Sequence, residues 1–194
     1  MAVMIFGLVV FLGVHILVSL RGARAALIER LGAAQYRGFF SLLAVAGVGL
    51  TAYGFALWRA AESDVIWNPP LGLRHLVLAL MVLASLAAVA VFVPSHIRAR
   101  LKHPALVAVK IWAFCHLLVN GDAASMVLFG SLLAWAVYAR IAAKRRAEPL
   151  PIAPTGYGGD VIVVAGGLLL YAVLAFWFHP HIIGAPVMGV PVVG

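Results

Sequence analysis

Six long apolar stretches dominate this sequence and restrict it to a membrane fold. They cover approximately residues 2–20, 39–58, 75–94, 105–119, 123–140 and 161–178. A helix that crosses a bilayer needs about 20 mainly apolar residues. Only 10% of the 194 residues are charged, whereas soluble domains carry about 25%. The sequence therefore predicts an all-α integral membrane bundle of six transmembrane helices, forming a single domain over residues 1–194.

The basic residues lie mainly in alternate connections between these stretches, which predicts an orientation. Connections 1–2, 3–4 and 5–6 are rich in Arg and Lys, whereas the opposite side holds only Arg59 and Arg74. The positive-inside rule places the rich side in the cytoplasm and both termini on the outer side. This distribution accounts for the net charge of +8. No basic run is interleaved with aromatic residues, so nucleic acid is not an expected partner.

A three-residue turn, Asn120-Gly121-Asp122, separates the fourth and fifth apolar stretches. Asn-Gly is a turn signal, and Asp122 can cap the helix that follows. The sequence therefore predicts an antiparallel helical hairpin here. Earlier in the same region, His103-Pro104 predicts a helix start, because proline favours the first turn.

Two histidines, His15 and His116, lie deep inside the first and fourth predicted spans. Polar groups at this depth are costly and normally face the interior of the bundle. Each can hydrogen-bond to a neighbouring helix and stabilise the bundle, or the two can hold a haem iron or another metal. Their predicted depths differ by roughly 12 Å. His75 and His179, at the outer ends of spans three and six, are the alternative partners for His116.

Two further residues of the fourth span have both a structural and a functional interpretation. Lys110, near the predicted depth of His15, either extends toward the cytoplasmic interface or neutralises a buried anion such as a haem propionate. Trp112 lies four residues before His116 and shares its helix face, so it can form part of a haem wall or simply pack. The single cysteine, Cys115, excludes an internal disulfide.

The chain resembles the NnrU family of bacterial membrane proteins over essentially its whole length. The stretches that carry the resemblance are FLGVHILVSLRGARAALIERLGAAQYRGFFSLLAVAGVGL, GLRHLVLALMVLA, KHPALVAVKIWAFCHLLVNGDAASMVLFG and FHPHIIG. The resemblance implies a bacterial inner membrane location and a role in denitrification, alongside nitrite and nitric oxide reduction. The family is related to 15-cis-zeta-carotene isomerase.

The resemblance to that isomerase assigns expected roles to individual residues of this chain. It is a haem b protein whose iron is held by histidines. Its first-span histidine falls on His15, and the histidine of its Trp-x-x-x-His step falls on His116. Its Arg-His-Pro becomes Lys102-His103-Pro104 here. The isomerase has a cysteine one residue after that tryptophan, where this chain has Ala113, and this difference weakens the prediction of isomerase activity more than that of haem binding.

We therefore expect an NnrU-type protein that binds haem b through His15 and His116 and is linked to nitrogen-oxide metabolism. The alternative is a haem-dependent cis–trans isomerase of a carotenoid-like polyene, so whether the protein is an enzyme stays open. The expected partners are the lipid bilayer and either denitrification proteins or a hydrophobic polyene. Two weaker alternatives are a membrane methyltransferase, whose paired late glutamates are missing here, and a structural or transport role without a cofactor.

Overall fold

The computed structural model describes residues 1–61, 63–147, 149–185 and 187, and these are almost entirely helical. The helices are α1 (Ala2–Ser19), α2 (Arg21–Leu31), α3 (Ala33–Ala60), α4 (Leu73–Val89), α5 (His96–Leu101), α6 (Pro104–Val119), α7 (Ala123–Arg145) and α8 (Gly158–Val173). A π-helical segment, Leu174–Ile183, continues α8. Within the described ranges the only extended pairing is an isolated bridge between Val65 and Asp122. The all-α prediction is confirmed.

Four helices in the described part of the chain are long and apolar enough to cross a bilayer: α1, α3, α7, and α8 together with its π-helical segment. The apolar helices α4 and α6 contain only 17 and 16 residues. Their lengths are roughly 24–26 Å at 1.5 Å per residue, against a hydrocarbon core of about 30 Å. A helical membrane architecture is thus supported, and the number of six spans stays a prediction.

Three helix boundaries differ from the predicted spans for local reasons. The second span begins earlier than residue 39, because Gly32, at a φ of +80°, ends α2 and lets α3 begin at once. The third span ends at Val89, where tight turns lead to Pro94, which has no amide N–H to continue a helix. The last helix continues past residue 178 to Ile183 because the π-helical segment accommodates Pro180.

The chain divides into two compact units, and each unit is built from two separate segments of the sequence. The first unit comprises residues 1–74 and 113–148, and it contains α1, α2, α3, the second half of α6, and α7. The second unit comprises residues 75–112 and 149–194, and it contains nearly all of α4, then α5, the first half of α6, α8 and the π-helical segment. The boundary falls within the continuous helix α6, so this helix belongs to both units.

In the first unit, small residues let α1 and α3 pack backbone against backbone. A Cβ atom on Gly54 would overlap the backbone of Met4, and one on Gly7 would lie 2.5 Å from the amide nitrogen of Thr51. The Thr51 hydroxyl stays satisfied at this contact because it donates to the Gly47 carbonyl at 2.7 Å. Close approach of this kind stabilises membrane helix pairs mainly through van der Waals contact.

The turn between α6 and α7 binds the loop that follows α3 in the same unit. The amides of Ile66 and Trp67 both donate to the Gly121 carbonyl, at 2.7 and 3.2 Å, and the Ala123 amide donates to the Asp64 carbonyl at 2.8 Å. A Cβ atom on Gly121 would overlap the carbonyl oxygen of Trp67. Glycine therefore serves a close backbone approach here as well as the turn itself.

Asp122 caps α7, as the sequence predicts. Its carboxylate accepts from the Ser125 amide at 2.9 Å and from the Ser125 hydroxyl at 2.7 Å. The same carboxylate lies 3.9 Å from Nε of Arg59 at the end of α3. One side chain thus links the start of α7 to the end of another helix.

In the second unit, the carboxylate of Asp160 joins α8 to α5. It accepts from the Ile97 amide at 2.9 Å and from Nδ1 of His96 at 2.7 Å, and the His96 ring stacks on Tyr157 at 4.6 Å. The third–fourth and fifth–sixth connections therefore meet. The prediction, made from the charges, that both lie on one side of the membrane stays a prediction.

We expect Gly54→Leu to lower the free energy of unfolding by about 1–3 kcal/mol or more, because the new side chain would overlap the α1 backbone. Gly49→Leu is the matched control, since a Cβ atom there meets nothing within 4 Å. Denaturant titration of the purified protein in detergent measures both. Equal losses in the two variants would contradict the close packing of α1 on α3.

We expect Asp122→Ala to lower the free energy of unfolding by about 0.5–2 kcal/mol, because the first turn of α7 loses its cap. Asp122→Asn keeps an oxygen that can accept from the Ser125 amide, so its loss should be smaller. The same titration compares them. If Asn is as destabilising as Ala, the charge opposite Arg59 matters and the cap does not.

Candidate functional site

His15 is held in one orientation by its own helix. Its Nδ1 lies 2.7 Å from the carbonyl oxygen of Phe11, one turn earlier in α1. A carbonyl oxygen only accepts, so Nδ1 carries the proton and donates. In the neutral imidazole, the other ring nitrogen, Nε2, then keeps its lone pair. A backbone bond of this kind is the usual support for a metal-binding imidazole, because it fixes both the tautomer and the ring direction.

Aromatic rings from three helices surround this half-buried imidazole. The ring centroid of Phe11 in α1 lies 4.2 Å from that of His15, and those of Phe40 in α3 and Trp135 in α7 both lie at 5.3 Å. The Trp135 ring stands nearly perpendicular to the imidazole, at 83°. We call His15, Phe11, Phe40 and Trp135 the His15 cluster.

Two buried donors near the His15 cluster have no hydrogen-bond partner within the described residues. They are the hydroxyl of Tyr36 and Nε1 of Trp135. Tyr36 lies one turn before Phe40 in α3, and their ring centroids are 6.4 Å apart. A buried polar group without a partner costs about 1–3 kcal/mol, and such groups often mark the place of a ligand, an ion or a water molecule. The cluster therefore offers donors for an acceptor group.

His116 belongs to the same compact unit but contacts a different part of α7. Its ring stacks on Phe129, with centroids 4.5 Å apart. Its backbone carbonyl accepts from both the amide and the side-chain Nδ2 of Asn120, at 2.9 and 2.8 Å. Asn120 thus terminates α6 beside His116, which is a more specific role than the turn propensity that the sequence indicates.

The contacts on α7 separate His15 from His116. His15 packs on Trp135 and His116 on Phe129, and these two positions are six residues apart. Six residues correspond to roughly 9 Å along a helix and to faces about 120° apart. The two imidazoles therefore pack beside different turns and faces of α7.

The other predicted site residues lie in the second unit. Lys110 and Trp112 are half-buried on α6, and His75 is exposed at the start of α4. His179 lies in the π-helical segment, where its Nδ1 is 2.8 Å from the Leu174 carbonyl, which is the same kind of support that His15 has. His103 immediately precedes α6, which begins at Pro104 as predicted.

A metal site built from several side chains is not found in the described ranges. They contain no group of three or more His, Cys, Asp and Glu residues placed to hold one ion.

The sequence analysis did not predict the pairing of His96 with Asp160. Asp160 lies in the first turn of the apolar helix α8, and an acidic residue at that position is a signal that could have indicated a role.

Comparison with known proteins identifies the family. The family described as NnrU protein matches residues 3–187 of the chain, which is nearly all of it. A search of curated proteins and a search of solved structures gave no match. The chain therefore belongs to the NnrU protein family.

Proposed function

We propose that this NnrU-family protein binds haem b and that His15 would hold its iron. One observation carries the proposal: the hydrogen bond from Nδ1 of His15 to the Phe11 carbonyl, which leaves Nε2 with a free lone pair beside aromatic rings. A proximal histidine of this kind holds the iron in globins and peroxidases. When bound, the haem would supply a redox-active iron.

The surrounding side chains suit a flat apolar cofactor. Phe11, Phe40 and Trp135 give the imidazole apolar walls that would keep water from the iron. The unpartnered donors of Tyr36 and Trp135 could each donate to an oxygen of the cofactor or of a small molecule beside it. Those hydrogen bonds would offset the cost of burying both groups.

A single protein ligand gives the proposal its link to nitrogen oxides. An iron bound by His15 alone would keep one coordination position open for a small molecule such as nitric oxide, and a role in denitrification is what we expect of an NnrU protein. The second ligand predicted from the sequence, His116, stays an alternative, and its ring packs on a different turn of α7 from that of His15. No contact described above favours the isomerase alternative, which stays a prediction.

We further propose six membrane crossings, with α4 and α6 as short spans, both termini on the outer side and a location in the inner membrane. The basic connections support this orientation. So does the Asp160 contact, which brings two of those connections together. Lys110 would then lie in a span, where it either extends to the interface or neutralises an anionic group.

We expect His15→Gly to weaken haem binding at least about tenfold, because the iron loses its protein ligand. Added imidazole should restore binding, since the free molecule can occupy the space left by the side chain. Haem titration of the purified protein, followed by the Soret absorbance, measures the affinity. His181→Gly is the matched control, because that exposed histidine has the same hydrogen bond to a carbonyl four residues earlier.

His116→Ala separates one-ligand from two-ligand binding. With His15 as the only ligand, this variant keeps its haem and its spectrum, and the wild-type reduced protein binds nitric oxide without displacing a histidine. Loss of haem in the His116 variant but not in the His15 variant would overturn the assignment. Unchanged haem binding in both would overturn the proposed site.

The proposed topology predicts which connections react with a membrane-impermeant maleimide. We expect Ala61→Cys to be labelled in intact spheroplasts and Thr155→Cys only after permeabilisation, because they lie on the outer and cytoplasmic sides respectively. Both positions are exposed, whereas the native Cys115 is buried. Labelling of the two variants from the same side would rule out this topology.

A further inference from the structure

A cleft in the second unit is lined by residues from several segments, and two of them, Arg98 and Lys102, are positively charged. Its volume is about 410 Å³. It is lined by Arg98 of α5, by Lys102 and His103 that follow this helix, by the first turn of α6, and by Pro149–Pro151 from the segment before α8. None of the described lining residues is acidic, and two of them, Arg98 and Lys102, carry permanent positive charges.

The guanidinium of Arg98 carries a buried donor that is not used within the described chain. Its Nε is inaccessible to solvent and has no hydrogen-bond partner there. Arginine has five donors in a planar fork that matches phosphate and carboxylate oxygens. Burying one of them without a partner is costly, and Arg98 as a residue lines the cleft.

The backbone at Lys102 is strained, and the strain lies in the cleft wall. Lys102 has a φ of 64° and a ψ of −50°, and the His103 amide bonds to the Leu101 carbonyl at 2.7 Å. This is a γ-turn of the rare, strained type on a residue that is not glycine. Strain of this kind persists where the surrounding structure enforces it, often at binding sites. Here it holds a lysine between α5 and the start of α6.

The start of α6 adds further positive potential. Ala105 and Leu106, in the first turn, line the cleft. Amides of a first helical turn lack partners within the helix, and the helix dipole makes this end favourable for anions. Arg98, Lys102 and the helix end thus act on one cleft. The apolar part of its lining, Leu106 and the prolines, suits a ligand with a carbon portion as well as an anionic group.

We propose that this cleft binds the phosphate group of an anionic ligand, with the Arg98 guanidinium and the Lys102 ammonium as its main contacts. The phosphate belongs either to the headgroup of a membrane lipid or to a soluble phosphate ester. The site shares no residue with the His15 cluster and does not depend on haem.

Binding of two phosphate probes to the full-length protein in a maltoside detergent tests this proposal. The probes are dihexanoyl phosphatidic acid and inorganic phosphate, and dihexanoyl phosphatidylcholine gives the background. We expect the wild-type protein to bind phosphatidic acid above that background. Competition by millimolar inorganic phosphate would assign the site to soluble phosphate esters, and its absence would assign the site to lipid headgroups.

Variants of α5 and its end identify the contacts. We expect Arg98→Gln to weaken binding about tenfold or more, because a charge-assisted hydrogen bond is lost. Arg98→Lys should lose less, and Lys102→Asn should weaken binding while tolerating the positive φ. Arg100→Gln is the matched control, because Arg100 is exposed on the same helix and does not line the cleft.

Two results would overturn the proposal. One is binding of neither probe above background by the wild-type protein. The other is equal weakening by Arg98→Gln and Arg100→Gln, which would mean that the net positive charge of the protein attracts the probe without a site. Circular dichroism and gel filtration confirm that each variant is folded, and Arg98→Lys provides the comparison if Arg98→Gln is not.

Discussion

The close backbone packing of α1 on α3 is the constraint on which the His15 cluster depends. Hydrophobic burial gives membrane helices little reason to associate, because lipid tails are as apolar as the helices themselves. Here glycines replace that driving force with direct contact, as at Gly54 and Gly7. A Cβ atom on Gly47 would likewise lie 2.8 Å from the amide nitrogen of Phe11. Phe11 is the residue whose carbonyl orients His15, so the helix pair and the imidazole share one support.

The helices and the main turn could be predicted from the sequence because each has a local cause. Apolar composition indicates the helices, Pro104 indicates the start of α6, and Asp122 indicates the cap of α7. The predicted helix boundaries were wrong where a local feature had a less visible sequence signal than the apolar stretches. Gly32 lets α3 begin well before its apolar stretch, and the π-helical segment carries the last helix through a proline that would ordinarily end it.

The candidate sites were less predictable because their parts come from distant segments. The depth of His15 indicated a special role, but its neighbours Phe40 and Trp135 lie on other helices and share no sequence pattern with it. The predicted depths of His15 and His116 differ by roughly 12 Å, and the sequence did not indicate that they pack on Trp135 and Phe129 of α7. The bond between His96 and Asp160 joins residues 64 positions apart, and no periodicity relates them.

The hydrogen bonds between the loop after α3 and the α6–α7 turn determine which of these residues can change during evolution. Three of its bonds to the α6–α7 turn join main-chain atoms alone, so they place no demand on the chemical identity of the side chains above them. Val65 and Ile66, both largely exposed, can therefore be exchanged for many other residues without loss of these contacts. Gly121 cannot, because any side chain would occupy the space of the Trp67 carbonyl. Mutational tolerance should thus change sharply between the two sides of one contact.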